Sequence, residues 1–524
     1  MRTKLLSIFL ACFLFFGIFS GYLVGNAAFA ASEVYAQFAD ETATDSSRKI
    51  ASVDFKSGEE FEFAWDFVYD DLLFEYSSYL YNHDLAKMSF GLALACGNTP
   101  SSHYFWGEAG DNLGRQKNIE KLYKDLEFED IRYYRYDVQL NDDASKIALS
   151  MARRDIQIDG DDFALVTVAI RGHGYGAEWG SNFDISKDRY SHKGFSDASL
   201  QIQETILEYF EEFEKVLDKK IKLWVVGYSR GANVANILGS DLDKLSKENV
   251  GIGRFFDPEN IYVYTFASSR VVSSANNPDF HEDNISLFGN IFNILNPSDV
   301  LAIMVPAEWS FTRYGVDKVF LFGEHLNSFE ENPLNYDIVD SIYKEMAGKD
   351  LFARDFSSYY LLLKDIENLM LILMPNAASY DDNYRELIME LGVLMSYHVP
   401  DDSKPGTWKS PSLKDKFLYR YGDRGRASYI RIDAYVSLLL FKMNPQLLLI
   451  RLPYEDIYST AITFLALCDM YELKLQNVGE FIIEAIRTLL KHDLSLLSSI
   501  AIGHYPETYI AWLFSQDNPD LLFI

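Results

Sequence analysis

Leu223-Trp224-Val225-Val226-Gly227-Tyr228-Ser229-Arg230-Gly231-Ala232-Asn233-Val234-Ala235 is the stretch that decides how this chain is read. Four apolar residues in a row predict a buried strand, and the small residues after Ser229 predict a helix packed close behind it. Between them lies the pattern G-x-S-x-G, a sharp strand-to-helix turn that lifts a serine hydroxyl above the end of a sheet. Such a turn strains the serine backbone, and its flanks must be glycine so that neighbouring chain does not collide. The helix N-terminus then leaves amides beside the hydroxyl, where an anion would form. The pentapeptide alone recurs by chance, and a bystander serine in a glycine-rich joint would read the same. The β-run before it and the helix after it argue for the functional reading.

Outward from this joint the pattern alternates. Residues 163–170 form an almost unbroken apolar run, and 131–136 and 261–266 and 291–295 are further β-runs. Residues 144–154 read as an amphipathic helix started by Asp142 or Asp143, 200–217 as a helix with its charges on one side, and a third helix runs from Ser229 to about Leu245. Alternation of buried strands with helices predicts an α/β fold, a mostly parallel sheet with helices on both faces. An aromatic-rich helical stretch from Tyr69 to Ala95 is expected to pack on that core, within an N-terminal helical segment at 51–110. The core itself is expected over 111–329. After Phe329 no β-run of comparable quality appears, so 330–495 reads as a long helical insertion and 496–524 as a return to the core. Within the insertion Pro333 opens a helix ending near Gly348, and a polar loop runs from His398 to Pro411. Val478, Phe481, Ile482, Ala485, Ile486, Leu489 and Leu490 share one helical face.

A serine hydroxyl attacks only when a base takes its proton and a third group holds that base. Where such a turn carries the nucleophile, the acid and then the histidine follow it in the chain. Asp299 suits the acid, because 291–295 is a strand broken by Asn296-Pro297 and followed by this carboxylate; an Asx-turn or helix cap would use the same residue. Four histidines come later: His325, His398, His492 and His504. His325 is too close behind Asp299 to follow another β-α unit, His398 lies in the polar loop, and His492 closes a helix as a dipole partner. His504 stands in Gly503-His504-Tyr505-Pro506, a loop entering a helix that proline can start, and is the favoured base. One oxyanion donor is expected from the Arg230 amide. The other is expected from Arg171-Gly172-His173-Gly174-Tyr175-Gly176 after the 163–170 strand, with His173 or Gly174 as donor.

Composition narrows the partners. Arg2 and Lys4, an apolar run over 5–24 and Ala28-Phe29-Ala30 form an export signal over residues 1–30, with a retained membrane anchor as the second option. No later run predicts a membrane span, and the small, polar residues 31–50 read as a disordered linker. A formal net charge of −29 repels nucleic acid and anionic lipid surfaces, and favours a neutral or cationic substrate or an acyl chain held by apolar contact. No Cys/His spacing suggests zinc and no Asp-rich loop suggests calcium, so neither metal nor cofactor is expected. Cys96 and Cys468 can pair or stay as buried thiols.

With these pieces placed, the chain resembles the class 3 (fungal-type) lipase family, especially its exported bacterial members. The resemblance rests on Val168-Ala169-Ile170-Arg171-Gly172, Glu178-Trp179 with Asn182, His192-Lys193-Gly194-Phe195 and the serine turn itself. It continues through Tyr264-Thr265-Phe266-Ala267-Ser268-Ser269-Arg270, Asn296-Pro297-Ser298-Asp299-Val300 with Pro306, and His504-Tyr505-Pro506-Glu507-Thr508-Tyr509. It implies an α/β-hydrolase fold, Ser229, Asp299 and His504 as triad, and His173 at the oxyanion position where the family has Thr or Ser. Tyr-Ser-Arg stands where the family more often has His-Ser-Leu, and the insertion has no counterpart in small members. The implied activity is hydrolysis of an acyl ester or lipid. A non-catalytic binding or cell-surface protein on the same scaffold, and a thioesterase or peptidase variant, remain alternatives.

Overall fold

The computed structural model describes residues 48–56, 62–98, 112–137, 146–172, 187–188, 190–275, 277–280, 287–303, 305, 307–321, 334–348, 350–351, 356–373, 399–400, 408–409, 412–443, 445, 455–472 and 502–523, with single positions between 387 and 394 and between 480 and 492. Those up to residue 351 together with 502–523 form one compact unit, and those from 356 to 492 form another.

The first unit opens with a hairpin, β1 (Lys49–Lys56) and β2 (Glu62–Tyr69), followed by α1 (His83–Gly97) and α2 (Asn112–Asp125). Then come β3 (Glu129–Tyr134), β4 (Leu149–Ile158), β5 (Asp161–Ile170), α3 (Lys193–Glu212), β6 (Lys220–Tyr228), α4 (Arg230–Glu248), β7 (Phe256–Phe266), β8 (Ile291–Leu295) and β9 (Val316–Val319). Strands β3 to β9 make a seven-stranded sheet in the order β9-β8-β7-β6-β5-β4-β3. The four pairings from β9 to β5 are parallel, and those of β4 with β5 and β3 are antiparallel. The α/β class expected from the sequence is the class observed.

Alternation along β6 shows why both faces are covered. Leu223 and Val225 join Val166, Val168 and Val263 on one face, against Ile202 and Ile206 of α3 and Val234 and Leu238 of α4. Trp224 points the other way, where its indole nitrogen donates to Ser89 Oγ of α1 at 2.8 Å and its ring meets Phe74 edge-on at 5.2 Å. Each such side chain taken fully out of water contributes roughly 1.5–3 kcal/mol. Helix α1 packs on both the sheet and the hairpin, so nearly every one of its residues is buried.

Two expectations need correction. Residues 144–154 do not start a helix; Leu149–Ile158 is a strand paired on both sides. The charges that mimicked a polar helix face are ion-paired instead, Arg153 with Asp130 (2.8 Å) and Asp155 (2.7 Å), and Arg154 with Asp71 (2.9 Å). The segment 51–110 is likewise not helical from its start. Ala51 pairs with Phe67 and Val53 with Trp65 across the hairpin, buried residues recur along both strands with a period of two, and Asn82 caps α1 through Leu85 N at 3.0 Å. Late in the unit, α5 (Leu334–Ala347), which the sequence placed in the insertion, packs against the C-terminal helix.

The second unit is mainly helical among its described residues: α6 (Phe356–Leu373), α7 (Leu413–Met443) and α8 (Glu455–Met470). Helix α7 breaks at Gly422 (φ 53°, ψ −131°), and Ser428 ties it to α8 through Ala466 O (3.0 Å) and Asp469 (2.7 Å). Phe481 is buried; Val478, Ile482, Ala485, Ile486, Leu489 and Leu490 lie outside the described residues. Among the described residues no helix is long and apolar enough to cross a membrane. Cys96 and Cys468 are buried free thiols. The chain returns to the first unit with α9 (Pro506–Leu513), and Phe523 bridges Phe320 just beyond the outermost strand.

Candidate active site

Ser229 sits between β6 and α4 with φ 57° and ψ −122°, a positive φ that a side chain adopts only under strain. The crowding explains both flanking glycines. A Cβ on Gly227 would lie 2.2 Å from Gly231 O, and one on Gly231 would lie 2.4 Å from Ile170 O. The serine amide donates to Phe266 O of β7 at 2.9 Å, which pins the turn to the neighbouring strand.

Asp299 and His504 meet at this turn. Asp299 follows β8, and His504 ends a 3-10 turn, Ile502–His504, just before α9. His504 Nε2 lies 3.1 Å from Ser229 Oγ, and its Nδ1 lies 2.8 Å from Asp299 Oδ2. The carboxylate is wholly buried and the histidine nearly so. Of the other histidines, His492 pairs with Asp365 at 2.6 Å within the helical unit. His325 and His398 lie outside the described residues.

Three residues that the sequence reading left without a role complete the arrangement. Tyr509 donates to Asp299 Oδ2 at 3.0 Å, while Asp299 Oδ1 accepts the Leu301 amide at 2.9 Å. Burial first, and then the adjacent Asp299, push the Tyr509 hydroxyl well above the ordinary phenol range, so it stays protonated as a donor. Asn296 Nδ2 donates to Gly503 O at 2.8 Å, and Asn296 Oδ1 accepts from the Ser298 amide at 3.0 Å. One side chain thus ties the acid's loop to the turn that carries the histidine. Tyr228, beside the serine, donates its hydroxyl to the His504 carbonyl. The available signal was position: Tyr509 lies five residues beyond His504 and Asn296 three before Asp299.

Arg230 opens α4, so its amide belongs to the first helical turn, which has no acceptor within the helix. The amides of Ala232 and Asn233 both turn back to Ser229 O, at 2.9 and 3.2 Å. His173 and Gly174 lie outside the described residues, which stop at Gly172 on that side. Among the described residues no group of three or more His, Cys, Asp or Glu side chains is arranged to hold a metal ion.

A family model described as Lipase (class 3) matches residues 167–309, from β5 through the serine turn and Asp299. This stretch belongs to the class 3 lipase family. His504 lies beyond it, so the lipase match alone would not have found the histidine. The chain is also similar to two solved fungal lipases. One is the native Rhizomucor miehei lipase propeptide complex, 20% identical over 36% of this chain and 57% of that chain, with a TM-score of 0.25. The other is the lipase from Rhizopus microsporus var. chinensis, 16% identical over 38% of this chain and 64% of that one, again with a TM-score of 0.25. In each case the match spans less than two thirds of the fungal chain. No curated protein matches the chain.

Proposed function

We propose that this chain is an exported serine hydrolase that cleaves carboxylic esters, with an acyl lipid or a similar acyl ester as substrate. The observation that carries the reading is the unbroken path from Ser229 Oγ through His504 to the buried Asp299, at 3.1 and 2.8 Å. In the proposed reaction His504 Nε2 takes the serine proton as Oγ attacks the ester carbonyl. Asp299 accepts from Nδ1, fixes the tautomer and stabilises the imidazolium that forms. The Arg230 amide, with a second donor from the loop of His173 and Gly174, would hold the oxyanion. His504 then returns the proton to the alcohol, leaving an acyl-serine. Water, deprotonated by the same histidine, releases the acid and restores the serine. The export signal at residues 1–30 and the reading of the second, mainly helical unit as an insertion in the chain of the first belong to this proposal.

The test is labelling with a fluorophosphonate followed by peptide mapping. An activated serine gives one modified peptide, containing Ser229, and Ser229→Ala abolishes both the label and hydrolysis of short-chain nitrophenyl esters. A folded protein that is not labelled and turns over no ester would reject the hydrolase reading in favour of a binding protein on this scaffold.

A further inference from the structure

The geometry points to Tyr228 as the positioning residue that sets the reach of His504 to Ser229, an inference that rests on the proposed hydrolase reading. His504 is separated from the serine by more than half the chain, and the 3-10 turn that carries it is short. Something must hold that turn at the correct height above the sheet. Tyr228 is the last residue of β6 and the immediate neighbour of Ser229, so its backbone moves with the nucleophile. Its hydroxyl donates to the carbonyl of His504 itself, deep in the interior. Its ring also lies nearly parallel to the imidazole, at 5.4 Å between centroids and 16° between planes. One side chain therefore fixes both the backbone and the ring face of the base.

Two further restraints on His504 come from the acid side. Asp299 holds Nδ1, and Asn296 holds the preceding carbonyl of Gly503. Both belong to the loop that follows β8. Among these bonds, the Tyr228 contact refers the histidine directly to the strand that carries the serine. A phenol is needed for this: it spans from strand to carbonyl, donates one proton, and presents a flat face to the imidazole. Burial keeps such a bond in place, because the carbonyl has no water to replace a lost donor.

The experiment compares wild type, Tyr228→Phe and Phe90→Leu in the full mature chain. Tyr228→Phe keeps the ring and removes only the hydroxyl, an isosteric change that near-UV circular dichroism should show to be folded. Phe90 packs edge-on against the Tyr228 ring at 5.6 Å and, being apolar, cannot donate to the His504 carbonyl, so Phe90→Leu loosens the packing and spares the hydroxyl bond. The expected result is a fall of about tenfold in kcat and in fluorophosphonate labelling rate for Tyr228→Phe, with KM within twofold of wild type. Phe90→Leu should lower the melting temperature while leaving kcat, measured well below melting, within twofold. Equal kcat for Tyr228→Phe and wild type would overturn the inference. So would an equal loss in both variants, since packing alone would then account for it. A wild-type chain that is never labelled would overturn the hydrolase reading, and this inference with it.

Discussion

Tyr509 and His504 donate to the same oxygen of Asp299, Oδ2, at 3.0 and 2.8 Å. That oxygen therefore carries two of the carboxylate's hydrogen bonds, and Oδ1 takes a third from Leu301 N. Three donors hold a charge that is entirely out of water, where an unpaired carboxylate would be costly. Tyr509→Phe removes one of them and leaves the ring packed on Phe90 and Phe320. A hydrogen bond to a charged group is worth about 1.5–3 kcal/mol, so stability should fall by roughly that amount. Turnover should fall less than for loss of the acid itself, by about three- to tenfold, because two donors still orient the carboxylate. Thermal melts and nitrophenyl-ester kinetics on one preparation check both numbers, and a variant indistinguishable from wild type in both would show that the contact is idle.

Asp299→Asn keeps the size of the side chain and changes what it offers. An amide nitrogen facing Nδ1 would force the imidazole proton onto Nε2, where it faces Ser229 and can no longer accept. The expected loss in kcat is on the order of 10³–10⁴-fold with the circular dichroism spectrum intact. Fluorophosphonate labelling should slow in parallel. A loss of less than tenfold would mean that Asp299 only caps the following turn through Leu301.

Gly503 lies against the acid's loop with no room for a side chain, since a Cβ there would stand 2.1 Å from Ser298 O. Gly503→Ala must push the 3-10 turn away from that carbonyl and move His504 with it. Displacement of a catalytic group by about 1 Å can cost about a hundredfold in rate, and that is the scale of loss expected here. Gly160→Ala is the comparison: its φ of 87° is positive, so a side chain there is strained, but nothing lies within 4 Å of the added carbon, so it should lower stability and leave kcat unaltered. Equal kcat in the two variants would argue against the tight seat of the histidine turn.

What could be read from sequence follows the range of the interactions. The parallel strands β5, β6, β7 and β8 announce themselves because burial on both faces leaves mostly apolar residues at 163–170, 223–226, 261–266 and 291–295. Ser229, Asp299 and His504 were legible from local context: a turn pattern, a strand end and a helix entry. β4 was not, because Arg153 and Arg154 are neutralised by Asp130, Asp155 and Asp71, partners that sequence spacing does not reveal. The hairpin was missed for a related reason. Its apolar residues are dense enough to suit either element, and only their alternation separates strand from helix. Tyr228 and Tyr509 were in plain view, yet each acts on a residue brought from a distant part of the chain. Long-range polar contacts of this kind leave no periodic trace.

Lys222 gives a test of the sheet that does not involve the proposed chemistry. It lies buried near the start of β6, where Nζ donates to Asn260 Oδ1 at 2.8 Å and to the Tyr262 hydroxyl at 3.1 Å. Burial lowers its pKa from the ordinary 10.5 to about 8, with Glu259 and Asp257 opposing part of the shift. The folded value is below the unfolded one, so between about pH 8 and 10.5 the unfolded chain binds more protons, and stability from this group rises with pH. Below pH 8 the penalty for the buried charge is present in full, at most about 3 kcal/mol from 1.36 kcal/mol per unit. Lys222→Met removes the titration but also strips Asn260 of a donor, a cost that does not change with pH. The readout is therefore the difference in melting temperature between wild type and Lys222→Met. It should move in favour of wild type as pH rises from 8 to 10, because other titrating groups are common to both proteins and cancel. A difference that stays flat over that interval would mean that the ammonium is solvated in the folded sheet and that the strand start is looser than its contacts imply.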